Sequence, residues 1–101
     1  MALYKVVFPT IAAEKRINKV LSKIPNNVRQ KMLDQLESLE SNPRPVGAGS
    51  FKRLNPPIDI FGMTAHYRLR VGDYRIIYDV DDKIKTVWVL DLRKRNEITY
   101  K

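Results

Sequence analysis

Apolar and polar residues alternate along this 101-residue chain with two different periods, first that of helices and then that of strands. Residues 3–8 are rich in β-formers and predict a short strand that Pro9 ends. Thr10 is a suitable helix N-cap, and apolar residues follow it at helical spacing: Ile17, Val20, Leu21 and Ile24. A second such series runs from Pro25 to Asn42-Pro43: Val28, Met32, Leu36 and Leu39. The short link between the two series predicts an antiparallel helical hairpin.

The second half of the chain has strand patterns. Residues 51–54 predict a short strand, which we expect Asn55-Pro56-Pro57 to end. Residues 64–71 and 74–80 flank Gly72-Asp73, a two-residue hairpin link with glycine first. Residues 84–92 are almost continuously apolar, which is typical of a strand inside a sheet. The order predicts an α+β fold, β-α-α-β-β-β, with the helical hairpin on one face of a small antiparallel sheet. We expect one domain over residues 1–101.

Composition narrows the functional classes. The net charge of +8 favours a polyanionic partner, although the same charge would also serve solubility alone. No apolar run approaches the roughly 20 residues that span a bilayer, and no basic leader precedes the first apolar run, so we predict neither a membrane span nor a signal peptide. The chain has no cysteine, which excludes thiolate chemistry and fits a cytoplasmic protein.

The hairpin link fixes which side chains share a face. It places Arg70 opposite Arg75, and alternation then separates a core face from a polar face. The expected core face carries Tyr67, Leu69, Val71, Tyr74, Ile76 and Tyr78, and the other face carries His66, Arg68, Arg70, Arg75 and Ile77. Directly opposed arginines are destabilising unless an anion lies between them. The alternative is that both side chains splay apart into solvent.

A basic segment follows the apolar strand. Arg93-Lys94-Arg95 leaves the same sheet, and Tyr100 lies five residues further on. This segment would extend the cationic face and supply a phenol, or it is an ordinary basic tail. The single histidine, His66, is expected to be a plain surface residue of the polar face, and Trp88 is expected in the core.

These segments resemble the RelE/ParE superfamily of toxins from bacterial toxin–antitoxin systems. The resemblance is carried by Tyr-Arg-Leu-Arg-Val-Gly-Asp-Tyr-Arg-Ile-Ile-Tyr at residues 67–78, by the Asp-rich turn after it, and by the basic residues ahead of Tyr100. The opening strand, the helical hairpin and Lys52-Arg53-Leu54 fit the same layout. The RelE branch implies an endoribonuclease that cleaves mRNA in the ribosomal A site. The implied partners are an acidic antitoxin, partly disordered when unbound, and the ribosome with its mRNA. No membrane association is implied.

The resemblance also assigns roles to residues. The implied catalytic set is Arg75, Arg95, Tyr100, Arg68 and Arg70. We further expect RNA-binding residues around it: Lys52, Arg53, His66, Arg93 and Lys94. The tail spacing differs by one residue from that of RelE, so Arg93 is the alternative to Arg95. We expect Arg75 and Arg95 to be exposed, so that their removal changes stability by no more than about 0.5 kcal/mol.

The implied reaction is attack of a ribose 2′-hydroxyl on the adjacent phosphate, with arginines stabilising charge and Tyr100 moving a proton or stacking. No cofactor and no metal are implied. The aspartates at 79, 81 and 82 cluster at a turn, where aspartates are common for conformational reasons. Two alternatives stay open: a ParE-like gyrase poison without nuclease activity, and a non-catalytic basic RNA-binding module.

Overall fold

A computed structural model describes residues 3–60 and 62–94 of the chain. The elements in order are β1 (Lys5–Val7), α1 (Ile11–Ser22), α2 (Asn26–Ser38), β2 (Phe51–Ile60), β3 (Met63–Val71), β4 (Tyr74–Asp81) and β5 (Thr86–Lys94). The two helices pack on one face of a five-stranded sheet with the order β1-β5-β4-β3-β2. The predicted α+β architecture is therefore confirmed. The four strands after the helices correspond to the four predicted strand segments, one more than the order β-α-α-β-β-β counts.

The helical hairpin forms where the apolar periodicity predicts it. The Thr10 hydroxyl accepts a hydrogen bond from the Ala13 amide at 3.0 Å and caps α1. The Arg29 guanidinium of α2 donates to the carbonyls of Leu21 and Ile24, both at 2.9 Å, and so satisfies acceptors at the end of α1. Within the described residues, neither helix is long and apolar enough to cross a membrane.

The sheet is mixed and not purely antiparallel. β1 runs parallel to β5, with Lys5 beside Thr86 and Val7 beside Trp88, whereas all other strand pairs are antiparallel. The connection between β1 and β5 passes through the helical hairpin and the whole meander. Local patterns carry no information on such a distant pairing, and for this reason the sequence predicted only an antiparallel sheet.

β2 continues through the prolines that were expected to end it. Its pairing with β3 shifts register between Arg53 and Ile58, and Pro56 and Pro57 lie within this irregular stretch. β2 is an edge strand, so only one side of its backbone needs to donate to the ladder. The two prolines, which have no amide hydrogen to donate, lie where the pairing with β3 is interrupted. The break predicted at Asn55 is therefore wrong, because the prolines interrupt the pairing without ending the strand.

The β3–β4 hairpin has the predicted register. Val71 lies opposite Tyr74, Arg70 opposite Arg75, and Leu69 opposite Ile76. Gly72 has φ of +59°, a conformation that favours glycine at the first position of a two-residue link. The predicted core face packs against the helices, with Tyr78 and Ile76 fully buried.

The opposite face of the sheet carries a second, smaller apolar cluster. Its buried members are Ile60, Ala65, Ile77 and Leu90, with Trp88 packed against them and partly exposed. Ile77 is two residues from Arg75 on the same strand and therefore on the same face. Arg75 consequently shares a face with the buried Ile77, and an unbalanced charge on a buried residue is more costly than in open solvent.

Candidate nucleic-acid interface

Three arginines from adjacent strands form one row across the sheet. Arg70 of β3 pairs with Arg75 of β4, which in turn pairs with Arg93 of β5. Neighbouring strands are roughly 4.8 Å apart, so the three side chains start close together on the face opposite the helices. We call Arg70, Arg75 and Arg93 the arginine row. The next row on this face contains Lys52 and Arg68, which pair across β2 and β3.

Arg75, at the centre of the row, is buried. Only 8% of the residue is exposed, and its Nε and Nη1 atoms have no hydrogen-bond partner among the described residues. This corrects the expectation that Arg75 is exposed, because the residue lies on β4 between the paired strands β3 and β5. Buried guanidinium nitrogens without an acceptor, flanked by two like charges, are unfavourable.

Asp91 holds the outer arginine of the row. Its carboxylate accepts hydrogen bonds from Arg93 Nε at 2.8 Å, from Arg16 Nε of α1 at 2.7 Å, and from the Leu92 amide at 2.8 Å. The Asp91 side chain is only 3% exposed. Sequence reasoning missed Asp91. The available signal was a carboxylate inside the apolar run of β5, since such residues are rarely buried without a cationic partner.

The other predicted residues are distributed over both faces. Arg70 is exposed, and its Nε donates weakly to the Gly72 carbonyl at 3.4 Å. Arg53 pairs with Tyr67 and stands over that ring at 5.5 Å, away from the arginine row. Lys94 lies opposite Tyr74, so alternation directs it away from Arg93. The structure therefore places Arg93 in the row and Lys52 and Arg68 beside it, and separates Arg53 and Lys94 from it.

His66 and the tail complete the list of predicted residues. His66 Nδ1 lies 2.8 Å from Asp79 Oδ1 on the exposed surface of β3 and β4. Arg95 and Tyr100 lie outside the described residues. Residues 3–60 and 62–94 contain no group of three or more histidines, aspartates or glutamates arranged to hold a metal ion.

A fully bonded arginine lies on the helix side of the sheet. The Arg44 guanidinium donates to the Tyr67 hydroxyl at 2.9 Å and to both carboxylate oxygens of Asp82 at 3.1 and 2.9 Å. These bonds raise the pKa of Arg44, and the hydrogen bond from Arg44, helped by Tyr4, lowers the pKa of Asp82 to about 2. Burial above all raises the pKa of the Tyr78 phenol, which donates to the Pro43 carbonyl at 2.7 Å. Tyr78 is thus a structural residue and a poor proton acceptor.

Comparisons with known proteins identify the family to which this chain belongs. The sequence profile of the "ParE toxin of type II toxin-antitoxin system, parDE" matches residues 7–99. A sequence search among curated proteins gives no match. The chain belongs to this family of toxins, within the RelE/ParE superfamily.

Solved structures agree with the family assignment. The archaeal RelE–RelB complex from Pyrococcus horikoshii is similar with a TM-score of 0.71 and 28% identity, over 94% of this chain and 98% of that one. The toxin–antitoxin complex RelBE2 from Mycobacterium tuberculosis has a TM-score of 0.60 and 24% identity, over 93% and 100%. An arginine-to-alanine double mutant of Escherichia coli toxin RelE in the free state has 0.54 and 22%, over 96% and 87%. The last two support the fold alone.

Proposed function

We propose that this toxin is a ribosome-dependent endoribonuclease and that the arginine row binds the phosphate at the cleavage site. The observation that supports this proposal is the buried Arg75, which lies between Arg70 and Arg93 and whose Nε and Nη1 have no hydrogen-bond partner in the part of the chain that the structure describes. Three guanidinium groups in one row repel one another, and a phosphodiester brings anionic oxygens that would offset both the repulsion and the missing hydrogen bonds.

The reaction we propose is attack of the ribose 2′-hydroxyl on the adjacent phosphate. The 2′-oxygen forms a bond to phosphorus, the bond to the 5′-oxygen of the next nucleotide breaks, and the proton of the 2′-hydroxyl is removed as that 5′-oxygen gains one. The arginine row, assisted by Arg68, stabilises the charge that develops on the phosphate. Arginine, with a pKa above about 12, is a poor base.

The proton transfers require another group. The buried phenol of Tyr78 is on the helix side and its pKa is raised, so it is unsuited to this step. We propose that Tyr100 accepts the proton of the 2′-hydroxyl as a base, the alternative being that its ring only stacks on a nucleobase, and we keep Arg95 as a second tail cation. None of these groups is a strong base at neutral pH, so the free toxin would be a weak nuclease. We propose that it acts in the cytoplasm, where the ribosome positions the mRNA for cleavage.

The antitoxin is the second proposed partner. Two of the similar structures are toxin–antitoxin complexes, one of them with RelB. The +8 charge of this chain would favour an acidic antitoxin, partly disordered before it binds. The matched family description names ParE, so gyrase poisoning is the competing function; it requires no phosphate chemistry at the row.

The reaction is tested on purified ribosomes programmed with a defined mRNA. We expect cleavage that leaves a 2′,3′-cyclic phosphate or 3′-phosphate upstream and a 5′-hydroxyl downstream. An mRNA with one 2′-methoxy nucleotide at the cut site should resist, while the same substitution one codon away should not matter. A 5′-phosphate downstream would contradict the mechanism, because it requires water as the nucleophile. Intact mRNA together with induction of DNA damage in cells would favour gyrase.

A further inference from the structure

A second basic surface lies on the helix side of the sheet, where α1 passes the ends of β4 and β5. It is a groove of about 370 Å³ lined by Arg16, Lys19, Val20, Lys23, Tyr74 and Lys94. Four of these six residues are cations and none is acidic. We call it the α1 groove. An adjoining cleft of about 440 Å³ shares Lys23, Tyr74 and Lys94 and extends to the hairpin turn at Gly72-Asp73.

The α1 groove adjoins the arginine row. Arg16 lines the groove and shares the Asp91 carboxylate with Arg93 of the row. At the other end, the adjoining cleft reaches Gly72, whose carbonyl accepts the weak hydrogen bond from Arg70. The two basic surfaces therefore meet around the end of the β4–β5 pair.

We infer that the α1 groove binds the single-stranded RNA that flanks the phosphate held at the arginine row. Lysines along one helix with an aromatic ring beside them are the elements that single-strand-binding grooves combine, since phosphates take the cations and a base stacks on the ring. The apolar lining consists of Val20 and Tyr74 only. An acidic amphipathic peptide would find little apolar surface to bury there, so RNA fits the lining better. This inference deepens the proposed function, because it assumes that RNA reaches the arginine row.

The test is direct binding of RNA to the full chain without ribosomes. The probe is a short fluorescent 2′-O-methyl oligouridylate, which the proposed reaction does not cleave, titrated at several salt concentrations. The groove variant is Lys19→Ala with Lys23→Ala. The matched control is Lys15→Ala with Lys31→Ala, which removes the same charge from exposed positions of α1 and α2 that do not line the groove. Circular dichroism confirms that both variants are folded.

We expect the groove variant to bind the RNA about tenfold more weakly and the control to change less than twofold. The salt dependence of the groove variant should be less steep by about 1.4, which corresponds to two lost phosphate contacts at about 0.7 each. Equal losses in both variants, or no loss in either, would overturn the inference, because the charge would then act diffusely or not at all.

A second probe separates RNA from an acidic peptide. The same variants are titrated with a fluorescent oligoglutamate of the same net charge as the oligouridylate. A larger loss for RNA than for oligoglutamate in the groove variant supports the inference, and an equal or larger loss for oligoglutamate overturns it. The cleavage products described above test the proposed function independently: a downstream 5′-phosphate would end that proposal while leaving these binding results intact.

Discussion

Arg44 and Arg75 lie on opposite faces of the same sheet and differ in almost every contact. Arg44 donates to the Tyr67 hydroxyl and to both oxygens of Asp82, and its guanidinium carbon stands 5.3 Å from the Tyr67 ring centroid. Arg75 is more deeply buried, yet two of its nitrogens have no partner among the described residues. Arg44 stabilises the fold through its contacts. Arg75 keeps two nitrogens unpaired within residues 3–60 and 62–94, as expected of a residue that binds a ligand.

Exchanging each arginine for methionine should give opposite results. Arg75→Met should reduce mRNA cleavage by about 10²–10³-fold, since a charge-stabilising donor is lost. The same change should leave the free energy of unfolding unchanged or raise it, because a buried charge is replaced by an apolar side chain. Arg44→Met should lower the free energy of unfolding by about 1–3 kcal/mol and leave cleavage at the wild-type rate.

Cleavage on programmed ribosomes and urea denaturation measure the two quantities. Lys31→Ala, which removes an exposed charge from α2, is the control for net charge. If Arg75→Met destabilised the protein as much as Arg44→Met, Arg75 would have a structural partner, and its burial would not require an anion at the row.

Arg93 is intermediate between these extremes, because it belongs to the row and yet has a carboxylate partner. Asp91→Asn keeps the shape of the side chain but removes the charge shared by Arg16 and Arg93. We expect the free energy of unfolding, measured by urea denaturation, to fall by about 2 kcal/mol. This is less than for a fully buried ion pair, because 45% of the Arg16 side chain is exposed. Asp34→Asn on the exposed surface of α2 is the control, and equal stability of the two variants would show that Asp91 does not hold the row.

The smallest expected effect concerns the pH dependence of the Arg44 contact. The Asp82 carboxyl has its pKa lowered from 3.8 to about 2 in the folded protein. Because the pKa of Asp82 is lower in the folded protein than in the unfolded chain, its ionised carboxylate stabilises the fold at pH values above the unfolded-state pKa. This stabilisation is lost as the pH falls through the folded-state pKa. The difference in stability between wild type and Asp82→Asn should therefore be constant above about pH 4 and shrink towards pH 2. A gap that persisted to pH 2 would contradict the contact.

Local patterns predicted the parts of the molecule that depend on local contacts. Thr10 as a cap, the two amphipathic helices and the register set by Gly72-Asp73 all follow from residues within a few positions of each other. The parallel pairing of β1 could not be predicted in this way, since its partner strand is distant in sequence. The continuation of β2 through Pro56 depends on its position at the sheet edge, which is a property of the assembled fold.

In the candidate site, too, the features set by local alternation were predicted and those set by distant contacts were not. Alternation along β3 and β4 correctly brought Arg70 and Arg75 together, and the pairing of β5 added Arg93. The burial of Arg75 depends on the position of β4 between two other strands, and the role of Asp91 depends on Arg16 of a distant helix. Neither feature leaves a periodic signal in the sequence. The roles of Arg95 and Tyr100 stay predictions from the family resemblance.

The pairing of β1 with β5 also has a consequence for synthesis of the toxin. Lys5 and Thr86 are neighbours in the sheet although 81 positions separate them in the chain. Strand β5 also supplies Arg93 and Asp91, so the arginine row is incomplete until the ribosome has made this strand. Contacts between such distant segments form late, since the loop between them must first be closed. If the row binds phosphate as proposed, a growing chain has no complete phosphate site until β5 has been synthesised, so a nascent toxin cannot act on its own message during most of its synthesis.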